Sequence, residues 1–166
     1  LYNEEATRKA VIEGFQQHLI QKAQAGDTVY IHYSGHGSRE NAPEAFHEFF
    51  PDKKNETLVL HDSRTADGMD LADKELSALL SMIPSEAHIV LTMDCCHSGS
   101  ITRGEAKKKL GKDRQTEDSK ADRDLDSYLD GYYTKCYKKQ EPLAYQKETI
   151  SSCQPVVVRK KQRRRR

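Results

Sequence analysis

No apolar run in the 166 residues approaches the ~18–20 consecutive positions that a membrane span needs, which argues against an integral helical membrane protein. The stretch Leu1–Thr7 lacks the basic-then-apolar pattern of a secretory signal. Cysteine is sparse. Four residues, two of them adjacent (Cys95 and Cys96), make a poor disulfide framework and fit reduced thiols in a cytosol-like compartment better. The chain is therefore expected to be cytoplasmic, and the Asn55-Glu56-Thr57 match to a glycosylation sequon then carries no meaning. Apolar residues are also few, 36% against 32% charged, with a mean hydropathy of −0.87. That is lean for a globular domain, though richer than a wholly disordered chain. Neither sign of charge is in excess, with 27 Lys and Arg facing 26 Asp and Glu for a net charge of +1. Bulk charge thus singles out no class of partner, but its distribution is uneven. Seven basic residues crowd into Arg159–Arg166, leaving 20 basic and 26 acidic residues elsewhere, so a mildly acidic body carries a strongly basic tail.

The length allows one compact domain and hardly two. From Asn3 to Ala25 the apolar residues Val11, Ile12, Phe15, Leu19, Ile20 and Ala23 recur at three- and four-residue steps, predicting an amphipathic helix. Asn3 and Thr7 are both candidate caps, and Gly26 is a natural stop. Three β-branched or apolar runs read as strands: Thr28–Tyr33, Thr57–His61 and His88–Met93. Between the last two, Asp73–Ile83 carries a helical stripe of Leu76, Leu79, Leu80 and Ile83, closed by Pro84. Residues 39–56 are polar, contain proline and are expected to be irregular. Apolar strands alternating with amphipathic helices predict parallel strands joined by crossovers, an α/β sheet covered on both faces.

In such sheets, ligands and chemistry gather beyond the carboxyl ends of the strands. Two of the three expected strands end in turns rich in small residues: Ser34-Gly35-His36-Gly37-Ser38 and Asp94-Cys95-Cys96-His97-Ser98-Gly99-Ser100. Cysteine is the strongest nucleophile among side chains once it is a thiolate, and an imidazole beside it can take the proton and later protonate a leaving amine. Backbone N–H groups of Gly37 and Cys96 are placed to bind an oxyanion, and Asp94 offers a carboxylate to a cationic substrate side chain. Other readings of the same residues are a turn histidine and buried thiols, a redox pair or soft-metal ligands. Zinc fits poorly, because Cys95, Cys96 and His97 are consecutive and no C-x₂-C spacing accompanies them. Chemistry alone does not separate Cys95 from Cys96. Cys136 and Cys153 stand apart and read as incidental thiols.

Tyr33-Ser34-Gly35-His36-Gly37-Ser38 and Asp94-Cys95-Cys96-His97-Ser98-Gly99 resemble the two catalytic motifs of caspase-like cysteine peptidases, in the metacaspase and bacterial caspase-domain branch of peptidase family C14. The likeness extends to Glu5-Ala6-Thr7-Arg8 and Asp70–Leu76 and spans residues 1–103, with a weaker echo at Leu125–Tyr133. It implies a caspase-like three-layer α/β sandwich with a mainly parallel sheet. It also implies that His36 is the general acid/base, Cys96 the nucleophile and Cys95 its non-catalytic neighbour, with Gly37 and Cys96 forming the oxyanion hole. Asp94 and Ser34 match positions lining the primary specificity pocket of metacaspases, which cleave after Arg or Lys. The resemblance therefore implies an endopeptidase acting on peptides with a basic P1 residue through a thioester acyl-enzyme. A carboxylate suits a cation there and repels the Asp that caspases require. The alternatives are a catalytically incomplete regulatory or scaffold module, and association with nucleic acid.

Complete caspase-like domains resemble sheets of about six strands, so the chain is expected to be a large-subunit piece truncated at both ends. Its partner would be a missing small-subunit segment or a second chain. Calcium enters by resemblance: Asp73 falls near one acidic position of the metacaspase cluster, but Lys74 and Asn55 stand where further acids are common. A hard dication wants several carboxylate oxygens, so the calcium site looks degraded and no cofactor is expected to be required. Residues 104–124 read as a charged linker, with Arg103, Lys107–Lys109, Lys112, Arg114 and Arg123 as sites for self-processing of a zymogen. Residues 125–158 read as weakly structured. The tail 159–166 suits nonspecific phosphate contacts with nucleic acid, and no membrane partner is expected.

Overall fold

The computed structural model describes residues 1–47, 52–95, 117–119, 122–139 and 156–158. Its elements are α1 (Arg8–Gly14), β1 (Thr28–Ser34), β2 (His36–Asn41), β3 (Lys54–Val59), β4 (Leu71–Ala72), α2 (Asp73–Ser81), β5 (His88–Asp94), α3 (Tyr132–Lys139) and β6 (Val156–Val158). Of the two cap candidates it is Thr7 that starts the first helix. Its hydroxyl oxygen accepts the Ala10 N–H at 3.2 Å, satisfying a donor that a helix start leaves open, while Asn3 sits in a separate 3₁₀ turn. α1 runs on through a wider turn over Phe15–Ile20. The helical stretch ends well before Gly26, which takes a φ of +89° in the turn leading to β1.

β1 and β5 pair in parallel, from Thr28 opposite His88 to Ser34 opposite Asp94, and β6 adds antiparallel to the far edge of β5. On one face of this sheet Val29, Ile89, Leu91 and Met93 are buried. They form a single core with Phe15 from the first helical stretch, with Leu76, Leu79 and Ile83 from α2 and its end, and with Leu58 and Leu60. The molecule is thus a mixed α/β fold whose parallel pair is the one the sequence marks most strongly.

One strand sits elsewhere than expected. The Thr57–His61 run contributes only Thr57–Val59 to β3, which starts at Lys54 and pairs antiparallel with β2 and β4 in a second sheet. Its neighbour is therefore the strand that carries the second half of the first motif, and residues 39–56, expected to be irregular, contain the end of β2 and the start of β3. A second core lies beside this sheet. Phe46 meets Tyr128 edge-on (ring centroids 5.4 Å, 88°) and Tyr133 likewise (5.0 Å, 79°), over Ala72 and Ala78. Residues 122–133 thus close the fold as a packed segment. Among the described residues no helix is long and apolar enough to cross a membrane.

Candidate active site

The site is built by the final rung of the β1–β5 pair. Ser34 and Asp94 are register partners. The Ser34 hydroxyl donates to Asp94 Oδ2 at 3.2 Å, and the Gly35 N–H donates to the Asp94 carbonyl at 3.2 Å. Both motifs therefore leave the sheet from neighbouring positions at one edge. His36 follows Gly35 as the exposed first residue of β2, and Gly37 behind it is buried opposite Leu58. Asp94 is exposed at the same rim, so a carboxylate and a hydroxyl stand together where strand geometry leaves the surface open.

Tyr33 fixes the turn between them. Its hydroxyl lies 2.9 Å from the His36 carbonyl and 2.8 Å from the Val59 carbonyl, able to donate to either, and so ties the entry of β2 to the end of β3. Burial holds this phenol well above its usual range, with the nearby Cys95 and Asp70 adding to the effect, so it remains a neutral donor throughout the working pH range. Gly35 is the residue that permits this. A Cβ there would stand 2.4 Å from the Tyr33 hydroxyl oxygen. Tyr33 belongs to the first motif, but nothing in the motif alone assigns it this task. A tyrosine three residues before a histidine, with a glycine between, was the available signal.

Cys95 is buried and belongs to the main core, continuing the inward series Ile89, Leu91, Met93. Cys96 lies outside the described residues, as do His97–Ser100, Arg103, the linker lysines and the basic tail. Ser34, Gly37 and Asp94 are brought to the edge where His36 emerges. Arg123, expected among the exposed basic sites of the linker, is instead buried. Its guanidinium lies 3.1 Å from Glu75 Oε1 and 3.5 Å from Glu40 Oε2.

The family description "Metacaspase, peptidase C14 domain" matches residues 1–103. The chain belongs to the metacaspase family. Metacaspase-6 of Arabidopsis thaliana is 32% identical over 93 residues, covering 56% of this chain and 23% of the relative. Metacaspase-1 of Candida albicans is 25% identical over 96 residues, covering 57% and 21%. A solved structure of a Geobacter sulfurreducens protein is 33% identical, with a TM-score of 0.45, covering 58% of this chain and 33% of that one. The chain thus spans about a quarter of the length of the curated metacaspases it matches.

The residues at the metacaspase calcium positions do not fit a dication. Lys74 is buried, and its ammonium donates to Asp73 Oδ2 at 2.7 Å, placing a fixed cation on the carboxylate that would serve as ligand. Burial pushes the Asp73 carboxyl up to about 6 even against that ammonium. Asn55 is turned away to other work, its amide donating to Glu40 (3.0 Å) and to the Tyr128 hydroxyl (2.8 Å). Among the described residues no cluster of three or more His, Cys, Asp or Glu side chains is arranged to hold a metal ion.

Proposed function

We propose that this metacaspase chain carries the catalytic dyad of a cysteine endopeptidase that cuts after Arg or Lys. One observation carries the reading: the in-register pairing of Ser34 with Asp94, which starts both motifs from one edge of the parallel pair. In the reaction His36 takes the Cys96 thiol proton, and the thiolate attacks the scissile carbonyl. The resulting oxyanion is held by the Gly37 and Cys96 N–H groups. Collapse expels the amine, protonated by His36, and leaves a thioester that water hydrolyses with His36 now acting as base. Asp94, with Ser34 beside it, receives the guanidinium or ammonium of the residue before the cut. The burial of Cys95 in the core supports Cys96 as the nucleophile of the pair. Lys74 in place of an acid supports turnover without calcium, and the poor disulfide framework offered by four cysteines supports a reducing compartment.

The test is turnover of a fluorogenic peptide ending in Arg by the full chain. Cys96→Ala and His36→Ala should each lower it by about 10³-fold or more. Asp94→Asn should raise KM for Arg peptides far more than it lowers kcat, and a chelator should leave the rate unchanged. Turnover that survives Cys96→Ala overturns the mechanism. Absence of turnover from a folded chain favours the alternative of a regulatory module awaiting a further segment or a second chain. Self-processing in the linker accompanies the peptidase reading, whereas nonspecific phosphate contacts by residues 159–166 belong to the alternative of nucleic-acid association.

A further inference from the structure

β2 has a composition unlike an ordinary core strand. His36, Gly37, Ser38, Arg39, Glu40 and Asn41 include no large apolar side chain, so burial of hydrophobic surface does not fix where the strand lies. One edge pairs with β3. The other edge is met by residues 117–119 and 122–128, the end of the expected linker and the chain just beyond it. The Ser119 N–H donates to the Arg39 carbonyl at 2.7 Å, and the Ser38 hydroxyl donates to the Glu117 carbonyl at 2.7 Å. The Asn41 amide donates to Asp122 Oδ1 at 2.8 Å. Glu40, almost fully buried, accepts the Tyr128 hydroxyl at 2.7 Å and faces Arg123 Nη1 at 3.5 Å. Each β2 residue beyond Gly37 is therefore held by Glu117, Ser119, Asp122, Arg123 or Tyr128.

Charge makes this contact obligatory. Glu40 and Glu75 are both buried carboxylates. Arg8 reaches Glu75, and the second guanidinium is that of Arg123, which also donates to the Asp70 and Ser127 carbonyls (3.1 and 3.0 Å) and lies 4.0 Å over the Tyr128 ring. With residues 122–128 undocked, Glu40 would lose its guanidinium, and a buried carboxylate without a counter-charge is strongly unfavourable. β2 would then have to turn Glu40 out to water. By the two-residue period of a strand, Glu40, Ser38 and His36 share one face, so whatever turns Glu40 also turns the imidazole at the strand's first position.

We propose that residues 117–119 and 122–128 form a clamp that orients β2, and with it His36 and Gly37, with Arg123 and Tyr128 as positioning residues. The catalytic part of this statement rests on the peptidase reading above, whereas the clamp itself does not. The linker joins the clamp to the second motif, so clamp docking couples the chain beyond residue 116 to the geometry at His36.

The experiment compares the full chain with Tyr128→Phe, Arg123→Gln and Arg123→Lys, by hydrogen exchange of residues 36–41 and by the NMR signal of the His36 ring across pH. In Tyr128→Phe, which loses only a hydroxyl, exchange over residues 38–41 should accelerate at least tenfold and the His36 signal should shift, while exchange over β1 and β5 stays as in the parent chain. Arg123→Gln should do the same more strongly, and Arg123→Lys should recover part of the protection. Where peptide turnover is measurable, kcat should fall about tenfold in Tyr128→Phe with KM within twofold. If β2 exchange and the His36 signal are unchanged in a folded Tyr128→Phe, or if Arg123→Gln loosens residues 122–133 while leaving β2 protected, the clamp is overturned. Exchange reads the clamp even in a chain with no turnover, so its failure and that of the peptidase reading are distinguishable.

Discussion

Gly35 has no room for a side chain, because the ring of Tyr33 lies across it with the hydroxyl oxygen 2.4 Å from where a Cβ would go. Gly35→Ala must therefore push that ring off the His36 and Val59 carbonyls. Tyr33→Phe removes the hydroxyl and keeps the ring, so its cost should be that of a lost hydrogen bond, about 1–1.5 kcal/mol in denaturant unfolding. Gly35→Ala should cost more than this and should also lower peptide turnover by about tenfold or more, because it moves the start of β2. Equal stability of the parent chain and Gly35→Ala would show that the ring yields freely. The same scale separates the two cysteines: Cys95 continues the buried side of β5 and serves packing.

At the scale of elements, the start of α2 holds a carboxyl with a displaced titration. Asp73 in the folded chain keeps its proton up to a pH of about 6, against 3.8 for the ordinary group, because it is buried. Between those values the folded chain binds more protons than the unfolded one, so stability falls as pH rises through the window, and the whole penalty remains above it. The drop amounts to about 3 kcal/mol at most. Asp73→Asn should flatten the dependence of unfolding free energy on pH between 4 and 6, and an unaltered slope in that variant would refute the assignment.

The elements also show what the sequence made legible. β1, β5 and α2 announce themselves because burial of Val29, Ile89, Leu91, Met93, Leu76 and Leu79 imposes the apolar period by which such elements are recognised. β2 escapes that test. Its Ser38 and Glu40 are buried through hydrogen bonds and charge, and no local pattern encodes a partner 79 or 88 residues away. β3 is visible as a strand, but its antiparallel pairing to a polar neighbour is not. At the site, the motifs indicate His36, Gly37, Ser34 and Asp94, and the parallel register explains why Ser34 and Asp94 meet. Tyr33, Glu40 and Arg123 work through contacts that only the fold supplies.

Across the whole molecule, two cores are joined by one buried charge network. The larger lies between the parallel sheet and the helices, the smaller around Phe46, Tyr128 and Tyr133. Arg8, Glu75, Arg123 and Glu40 run between residues from before the first strand and residues after the linker. Arg123 is a trypsin-type residue with its side chain held inside. The Arg123–Asp124 bond should accordingly resist trypsin in the native chain and be cut promptly in urea, as followed by mass spectrometry, and prompt cutting under native conditions would contradict the packing described.

The pairing of Ser34 with Asp94 also bears on how such a protein can diverge. Insertions or deletions in the excursions between strands, such as residues 42–53 or 60–70, leave that final rung where it is. A single-residue deletion inside β1 or β5 shifts one motif by a full step against the other and exchanges inward for outward side chains. Homologues should therefore vary in loop length while keeping the two seven-residue strands at constant length.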